Sequence, residues 1–263
     1  MINEITIDRL NEFKDSLNKK QKSDLLFARL YANAVCFLPH NLCSLYEVTN
    51  NCKVCGVFCI YSSCATAFFT KAPDIDEFLD FLSFNASAQF LEISAKIGRK
   101  MTKKGQKTAV FGSFFTIKKV PKNIESELKI SECSDVSKFF EVLKKSSESY
   151  NDTSYESYYC DYFYRKKLPA SLYVAERGGK IISTLAVLHI FEKTAIISDV
   201  ASLPAERRKG AASALIFDVC RKLLKKGLTP SLLCTEKSAA ALYKKVGFKK
   251  GKNFALLMIK DEN

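Results

Sequence analysis

The sequence predicts an α/β protein built from two consecutive copies of one unit. The first observation is a repeated hairpin, because Ser44–Tyr61 aligns without a gap onto Ser171–Leu188. Each segment reads as a strand, a polar turn and a second apolar strand. The second observation is that the same order of elements flanks both hairpins. The third is Pro121–Glu127, where Lys, Pro, Asn and acidic residues interrupt the apolar pattern. We therefore predict domains at residues 1–125 and 126–263.

The elements of the two halves follow from apolar periodicity and turn signals. Besides its hairpin, the first half is predicted to contain helical sequence at Ile7–Cys36. Five elements then follow in order: a strand at Ala65–Phe69, a helix at Ile75–Phe84, a strand at Phe90–Ser94, a helix at Lys96–Lys104 and a strand at Ala109–Ile117. The second half is predicted to contain helices at Ser134–Lys145 and Ser154–Lys167 before its hairpin. After the hairpin come a strand at Ala195–Ser202, a helix at Ala211–Lys226, a strand at Ser231–Cys234, a helix at Ser238–Val246 and a strand at Phe254–Ile259.

Composition excludes several classes of protein. The longest uninterrupted apolar stretch is Phe254–Ile259, far short of the roughly 20 residues that cross a bilayer. The first ten residues do not read as a secretory signal, and we expect a cytoplasmic protein without a membrane partner. The ten cysteines are then expected to be mostly reduced and buried. Cys52, Cys55, Cys59 and Cys64 suggest zinc, but strand geometry separates them, and we predict structural thiols and no metal.

The charge balance favours an anionic partner. Lys and Arg outnumber Asp and Glu by 41 to 28, which gives a formal net charge of +13. Such an excess suits nucleic acid, an anionic surface or a phosphate-rich cofactor. The basic residues are dispersed along the chain, and no recognised nucleic-acid motif is present. We therefore do not expect nucleic acid as the partner.

A basic turn between a strand and a helix carries the strongest functional signal. Pro204–Ala212 contains three consecutive cations and a glycine, and the following helix repeats apolar residues along one face until Gly227. The N-terminus of a helix has unpaired N–H groups and a partial positive charge. Gly210 and the small alanines allow a close approach of a ligand to the backbone. The turn is therefore predicted to bind a phosphate or pyrophosphate.

This turn resembles the acyl-CoA-binding motif of the GNAT acetyltransferase superfamily. The match is Arg207-x-x-Gly210-x-Ala212 after a strand ending Val200–Pro204, and Ala239–Phe248 resembles the late A-x-x-L-Y-x-x-x-G-F segment of the family. The resemblance covers about residues 128–263. It implies two tandem GNAT-like domains, each a mixed, largely antiparallel sheet flanked by helices.

The resemblance also implies roles for individual residues. Acetyl-CoA would be the co-substrate, with its pyrophosphate held at the turn by Arg207, Arg208, Lys209, Gly210, Ala211 and Ala212. Val200, Ala201 and Leu203 would pair through their backbones with the pantetheine arm, and the Ala201 N–H would polarise the acetyl carbonyl. Tyr243 matches the tyrosine that protonates the departing thiolate, which a phenol can do at neutral pH.

The general base departs from the family pattern, whereas the acceptor pocket is predicted from that pattern. Many members place a glutamate where this chain has Ile196, and Asp199 on the same strand is the substitute candidate, acting through water. Helices before the hairpin wall the acceptor pocket in the family. Tyr155, Tyr159 and Tyr162 are therefore the predicted acceptor pocket, suited to a cationic amine.

The predicted function is transfer of an acetyl group from acetyl-CoA to a primary amine by direct attack. The acceptor is a small molecule or a peptide. Thr70–Asp74 replaces the arginine and glycine turn in the first half, which therefore reads as a degenerate copy that shapes the acceptor site or a homodimer contact. Three alternatives remain: a tandem transferase with another acyl donor, a non-catalytic acyl-CoA sensor, and a nucleic-acid-binding module.

Overall fold

The computed structural model describes residues 1–85, 88–103, 108–121 and 127–259 of the chain. It divides into two compact units. The first comprises Met1–Phe114 and the carboxy-terminal residues from Lys252, and the second comprises Phe115–Gly251. Residues 122–126, which hold the predicted boundary, and Lys104 at the end of a predicted helix lie outside the described residues.

The first unit contains a mixed sheet covered by helices. Its strands are β1 (Ile2–Glu4), β2 (Cys43–Asn50), β3 (Lys53–Tyr61), β4 (Cys64–Phe69), β5 (Phe90–Ser94) and β6 (Ala109–Thr116), and its helices are α1 (Ile7–Ser16), α2 (Lys19–Lys22), α3 (Leu25–Phe37), α4 (Ile75–Phe84) and α5 (Ala95–Lys103). The sheet order is β1-β2-β3-β4-β5, then the last strand of the chain, then β6. Phe58, Phe78 and Leu91 are fully buried in its core.

The predicted helical segment Ile7–Cys36 is three helices. Asn18 accepts a hydrogen bond from the Gln21 N–H and begins α2, and Asp24 accepts one from the Leu26 N–H and begins α3. Side chains that cap a helix satisfy its first N–H groups and so favour a new start over continuation. Residues 18–24 contain no apolar residue, and the two capping side chains at their ends divide the segment.

The last strand, β12 (Lys249–Met258), does not lie where the sequence places it. Phe254–Met258 pairs antiparallel with Ser94–Phe90 of β5, and Ala255 and Leu257 pack into the core of the first unit. The sequence assigns this strand to the domain at 126–263. Alternating apolar residues predict a strand, but they do not specify which sheet accepts it.

The second unit repeats the arrangement. Its strands are β7 (Lys129–Glu132), β8 (Ser171–Arg177), β9 (Lys180–Phe191), β10 (Thr194–Ser202) and β11 (Thr229–Cys234), and its helices are α6 (Val136–Ser146), α7 (Tyr155–Arg165), α8 (Ala211–Lys225) and α9 (Lys237–Val246). The order is β11-β10-β9-β8-β7, antiparallel except for β10 with β11. Buried residues of α8 pack in one core cluster, and Phe139, Tyr158 and Leu172 in another.

Three further findings concern the cysteines, metal-binding groups and membrane-spanning helices. Cys55 and Cys59 are buried in β3, but Cys52 and Cys160 are exposed. The described residues contain no group of His, Cys, Asp or Glu side chains that could hold a metal ion. Among the same residues, no helix is long and apolar enough to cross a membrane.

Candidate functional site

A groove of about 530 Å³ lies in the second unit, between the end of β10, the first turn of α8 and one side of α9. Both sequence motifs contribute to it, although more than twenty residues separate them in the chain. The residues that line it are Val200, Ala201, Ser202, Glu206, Arg207, Arg208, Gly210, Ala211, Ala212, Ser213, Ser238, Ala239, Leu242, Tyr243 and Lys245. The fold thus brings most of the predicted cofactor residues and Tyr243 into one cavity.

The groove begins where two parallel strands separate. The register pairs Thr194–Ile196 of β10 with Thr229–Ser231 of β11 and stops there, whereas β10 continues to Ser202. Among the described residues, the edge of β10 beyond Ile196 therefore has no partner strand on that side. Such an edge presents N–H and C=O groups that an extended ligand can bind.

The start of α8 has features that favour the binding of an anion. Gly210 is the N-cap residue at φ +86°, and it offers no capping side chain. The first intrahelical bond runs from the Ala214 N–H to the Gly210 carbonyl at 3.0 Å. The three preceding N–H groups therefore have no helical acceptor. A Cβ at Gly210 would meet nothing within 4 Å, so this glycine is required by its backbone conformation.

The three cations of the turn differ in their contacts. Arg207 donates from Nη2 to the carbonyl of Ser146 at 2.7 Å, at the end of α6. Lys209 pairs with Glu206 at 3.3 Å, and Glu206 also pairs with Arg177. Arg208 lines the groove and makes no ion pair with any described residue. Arg208 is therefore the cation best placed to meet a bound anion.

The backbone of β10 corrects two of the pantetheine assignments. The Leu203 N–H donates to the Ile182 carbonyl of β9 at 3.0 Å, and Leu203 is not among the groove residues. Ala201 is registered opposite Thr184. Because successive residues of a strand direct their backbone groups to opposite edges, Ala201 and Leu203 both face β9. Ser202, which the sequence analysis missed, faces the open edge.

A β-bulge sits beside this edge. The register between β10 and β9 jumps from Ser198 to Ala201, so that Asp199 and Val200 have no opposite residue. Asp199 adopts φ +53°, a conformation uncommon outside glycine but more frequent for Asp and Asn. Its carbonyl accepts a hydrogen bond from the Thr184 hydroxyl at 3.1 Å. The bulge redirects the strand at the point where it enters the groove.

Tyr243 lies in the wall of the groove with its ring packed inward. Its side chain is 8% exposed, and the rings of Phe115 and Phe248 lie about 6.1 and 5.9 Å away. Burial raises the pKa of the phenol above its ordinary value, with further contributions from Cys234 and Glu236. The hydroxyl makes no hydrogen bond to a described residue. A buried phenol of this kind stays protonated and can donate.

Asp199 is held by three hydroxyl groups. Its Oδ1 accepts from Tyr150 at 2.7 Å and from Ser198 at 2.8 Å, and its Oδ2 accepts from Tyr158 at 2.8 Å. Burial raises the pKa of both phenols, and the negative charge of Asp199 raises it further. Both tyrosines therefore remain donors at neutral pH. Asp199 directly precedes the groove residue Val200.

The three tyrosines of the predicted acceptor pocket differ in their exposure to solvent. Tyr155 and Tyr159 are 37% and 43% exposed, whereas Tyr162 is buried at 8%. Tyr158 faces Asp199, although it was not included in the predicted pocket. The regular spacing along α7 groups these rings on one stripe, but it does not tell which of them point toward β10.

The corresponding helix in the first unit has a different start. Asp74 caps α4 and accepts hydrogen bonds from the N–H groups of Asp76 and Glu77 at 3.1 and 3.2 Å. Its own carboxylate therefore occupies the position where a phosphate binds at a helix N-terminus. Two acidic side chains in the first turn make the site still less suited to an anion.

Comparison with known proteins agrees with this arrangement. The model of the acetyltransferase (GNAT) family matches residues 136–248, and no curated protein matches the sequence. A solved Drosophila protein has a TM-score of 0.70 at 14% identity, covering 98% of both chains. A tandem GNAT protein from the clavulanic acid biosynthesis pathway has a TM-score of 0.66 at 7% identity, covering 100% of this chain and 99% of its own.

A GNAT acetyltransferase from Colwellia psychrerythraea has a TM-score of 0.59 at 14% identity, covering 99% of this chain and all of its own. At such low sequence identities these similarities show the fold alone. The family model matches the domain that contains the groove. Residues 136–248 therefore match the acetyltransferase (GNAT) family, and the chain has the fold of a tandem GNAT protein.

Proposed function

We propose that the protein is an N-acetyltransferase that transfers the acetyl group of acetyl-CoA to a primary amine. The match of residues 136–248 to the GNAT family model supports acyl transfer from an acyl-CoA. The observation that carries the proposal is the groove at the start of α8, where an uncapped helix N-terminus, Arg208 and an open strand edge meet.

Each part of acetyl-CoA would meet a different part of the groove. Its pyrophosphate would lie against the first N–H groups of α8 and Arg208. Its pantetheine arm would follow the open edge of β10 and pair with the backbone of Ser202. The bulge at Val200 would then lie beside the thioester, where a backbone N–H polarises the carbonyl oxygen.

The reaction proceeds by direct attack of the neutral amine on the thioester carbonyl. The ammonium first releases a proton to water through Asp199. The amine nitrogen then forms a bond to the carbonyl carbon, and the carbon–sulfur bond breaks. Tyr243 donates its proton to the leaving thiolate and recovers one from the amine nitrogen through solvent. The balance is an amide, CoA thiol and one proton released for each ammonium consumed.

A thiol-release assay with a panel of acyl-CoA donors tests the proposal. Acetyl-CoA is expected to support amine-dependent release of CoA thiol, and longer acyl chains to support less. A protein that binds CoA but prefers a longer chain would show the alternative acyl donor. A protein that binds acetyl-CoA and releases no thiol with any amine would show a sensor and contradict the proposal.

A further inference from the structure

One face of α7 carries a row of exposed aromatic rings, Tyr155, Tyr159 and Phe163, which we call the α7 stripe. Its members are four residues apart, a spacing that makes them neighbours along one face of a helix. Successive ring centroids lie 5.9 and 6.5 Å apart. Phe163 is 58% exposed, more than either tyrosine. Single exposed apolar residues are ordinary, but a contiguous patch of them marks an interaction surface.

The fold leaves the α7 stripe largely uncovered. The opposite face of the helix buries Tyr158 and Tyr162 in a core cluster. Of the stripe itself, the Tyr155 ring lies 6.2 Å from the ring of Phe140 in α6. No stripe residue lines the groove at α8. The stripe is therefore a surface separate from the proposed acetyl-CoA site.

Charges of opposite sign flank the two ends of the stripe. Asp152 and Glu156 lie toward the amino end of α7, and both are exposed. Lys166 and Lys167 follow its carboxyl end, and both are exposed as well. None of these four side chains forms an ion pair with another residue that the structure describes. Their charges sum to zero, in a chain whose formal net charge is +13.

A second copy of α7 complements this pattern when the two helices lie antiparallel. About a twofold axis at Tyr159, each residue faces the one equally far along the helix on the other side. Tyr155 is then opposite Phe163 of the second copy, and Asp152 is opposite Lys166 of the second copy. The acidic end of each helix meets the basic end of the other. Antiparallel helix dipoles favour the same arrangement.

We propose that the α7 stripe is the contact between two copies of this chain in an antiparallel homodimer. The charge distribution argues for a second copy as the occupant. Two chains of net charge +13 repel each other, whereas the four charges that flank the stripe cancel and match themselves after a twofold rotation. The contact is independent of the proposed function.

Sedimentation equilibrium of the full chain over a wide range of concentrations tests the dimer. We expect a reversible dimer in the wild type. Tyr159→Lys places two like charges at the axis and should weaken dimerisation by about tenfold or more, as expected for a residue at the centre of an interface. Phe84→Lys is the matched control, because Phe84 is 88% exposed on α4, and it should leave the dimer unchanged. A wild type that stays monomeric throughout would overturn the inference and leave the stripe to a different partner.

Charge reversal tests the antiparallel pairing. One variant combines Asp152→Lys with Glu156→Lys, which makes both ends of the face basic. The other combines Lys166→Glu with Lys167→Glu, which makes both ends acidic. Each variant alone should dimerise about tenfold more weakly than the wild type, and an equimolar mixture should form a heterodimer. Restored association in the mixture also shows that both variants are folded. Undiminished dimers of each variant, or a mixture that stays monomeric, would contradict the proposed contact.

Cross-linking identifies the face that is in contact. Cys160 is exposed and follows Tyr159 directly, so the two copies of its thiol lie near the axis on the same side of the helix pair. Cys52 is also exposed, and the experiment therefore uses Cys52→Ser. A short bismaleimide should join two chains of this variant and should fail to do so once Tyr159→Lys is added. A dimer that gives no cross-link through Cys160 would place the contact elsewhere and overturn the inference.

Discussion

At the residue scale, Tyr243 carries the clearest chemical prediction. Tyr243→Phe removes one oxygen and preserves the ring packing against Phe115 and Phe248. If the phenol protonates the leaving thiolate, kcat should fall by about 100-fold or more, as expected for the loss of a general acid. The affinity for acetyl-CoA should barely change. Steady-state kinetics together with calorimetry separate the two quantities.

The pH dependence provides a control on this assignment. Tyr243 acts in its protonated form, and burial raises its pKa. A raised pKa extends the active range toward higher pH, so kcat should show no decrease from this group up to about pH 10, the ordinary value for a phenol. Full retention of kcat in Tyr243→Phe, or a loss confined to KM, would remove Tyr243 from the proton transfer.

Individual site residues differ in how far the sequence could predict them. Gly210 and Tyr243 stand at fixed positions of motifs, and the fold places both at the groove. Ser202 could not be found in the same way, because which edge of β10 a backbone group faces depends on the bulge. Tyr158 could not be separated from Tyr155, since both lie on one stripe of α7 and only the packing of the helix distinguishes them.

At the element scale, the two arginines of the turn before α8 are expected to have different roles. Arg208→Ala should weaken acetyl-CoA binding more than Arg207→Ala, because Arg207 is engaged with Ser146. Arg207→Ala should instead lower the free energy of unfolding by about 1 kcal/mol, the typical worth of a hydrogen bond. Calorimetry and urea denaturation of the two variants measure these effects. Weaker acetyl-CoA binding by Arg207→Ala than by Arg208→Ala would contradict the assignment.

The N-terminus of α8 can be tested against the other end of the same helix. Gly210→Glu places a side chain and a negative charge at the proposed pyrophosphate position, and should abolish acetyl-CoA binding. Gly227→Glu is the matched control, because Gly227 has φ +73° and equally open surroundings. Both variants carry similar backbone strain. Unchanged affinity in a folded Gly210→Glu variant would contradict the anion site.

Elements were easier to predict than their placement. The predicted bounds of α4 and β5 coincide with the structure, since periodicity and flanking turns mark them. The helical segment at Ile7–Cys36 was divided by caps at Asn18 and Asp24. The strand β12 was recognised, but pairing with β5 is a long-range event that local sequence does not encode.

At the scale of the whole molecule, the two units differ in how the corresponding helices α4 and α8 begin. The second unit begins its helix with Gly210 and no capping side chain. The first begins the corresponding helix with Asp74, whose carboxylate occupies the N–H groups. Of these two helix starts, the one in the second unit is therefore suited to an anion, and the one in the first unit is not.

The most direct test of the account is the stoichiometry of acetyl-CoA binding to the full chain, measured by isothermal titration calorimetry. We expect one equivalent per chain in the wild type and none in Gly210→Glu, with Gly227→Glu retaining one. Two equivalents would show that the first unit also binds the cofactor. Absence of binding in the wild type, or a full equivalent in Gly210→Glu, would contradict the assignment of the groove at α8 as the acyl-CoA site.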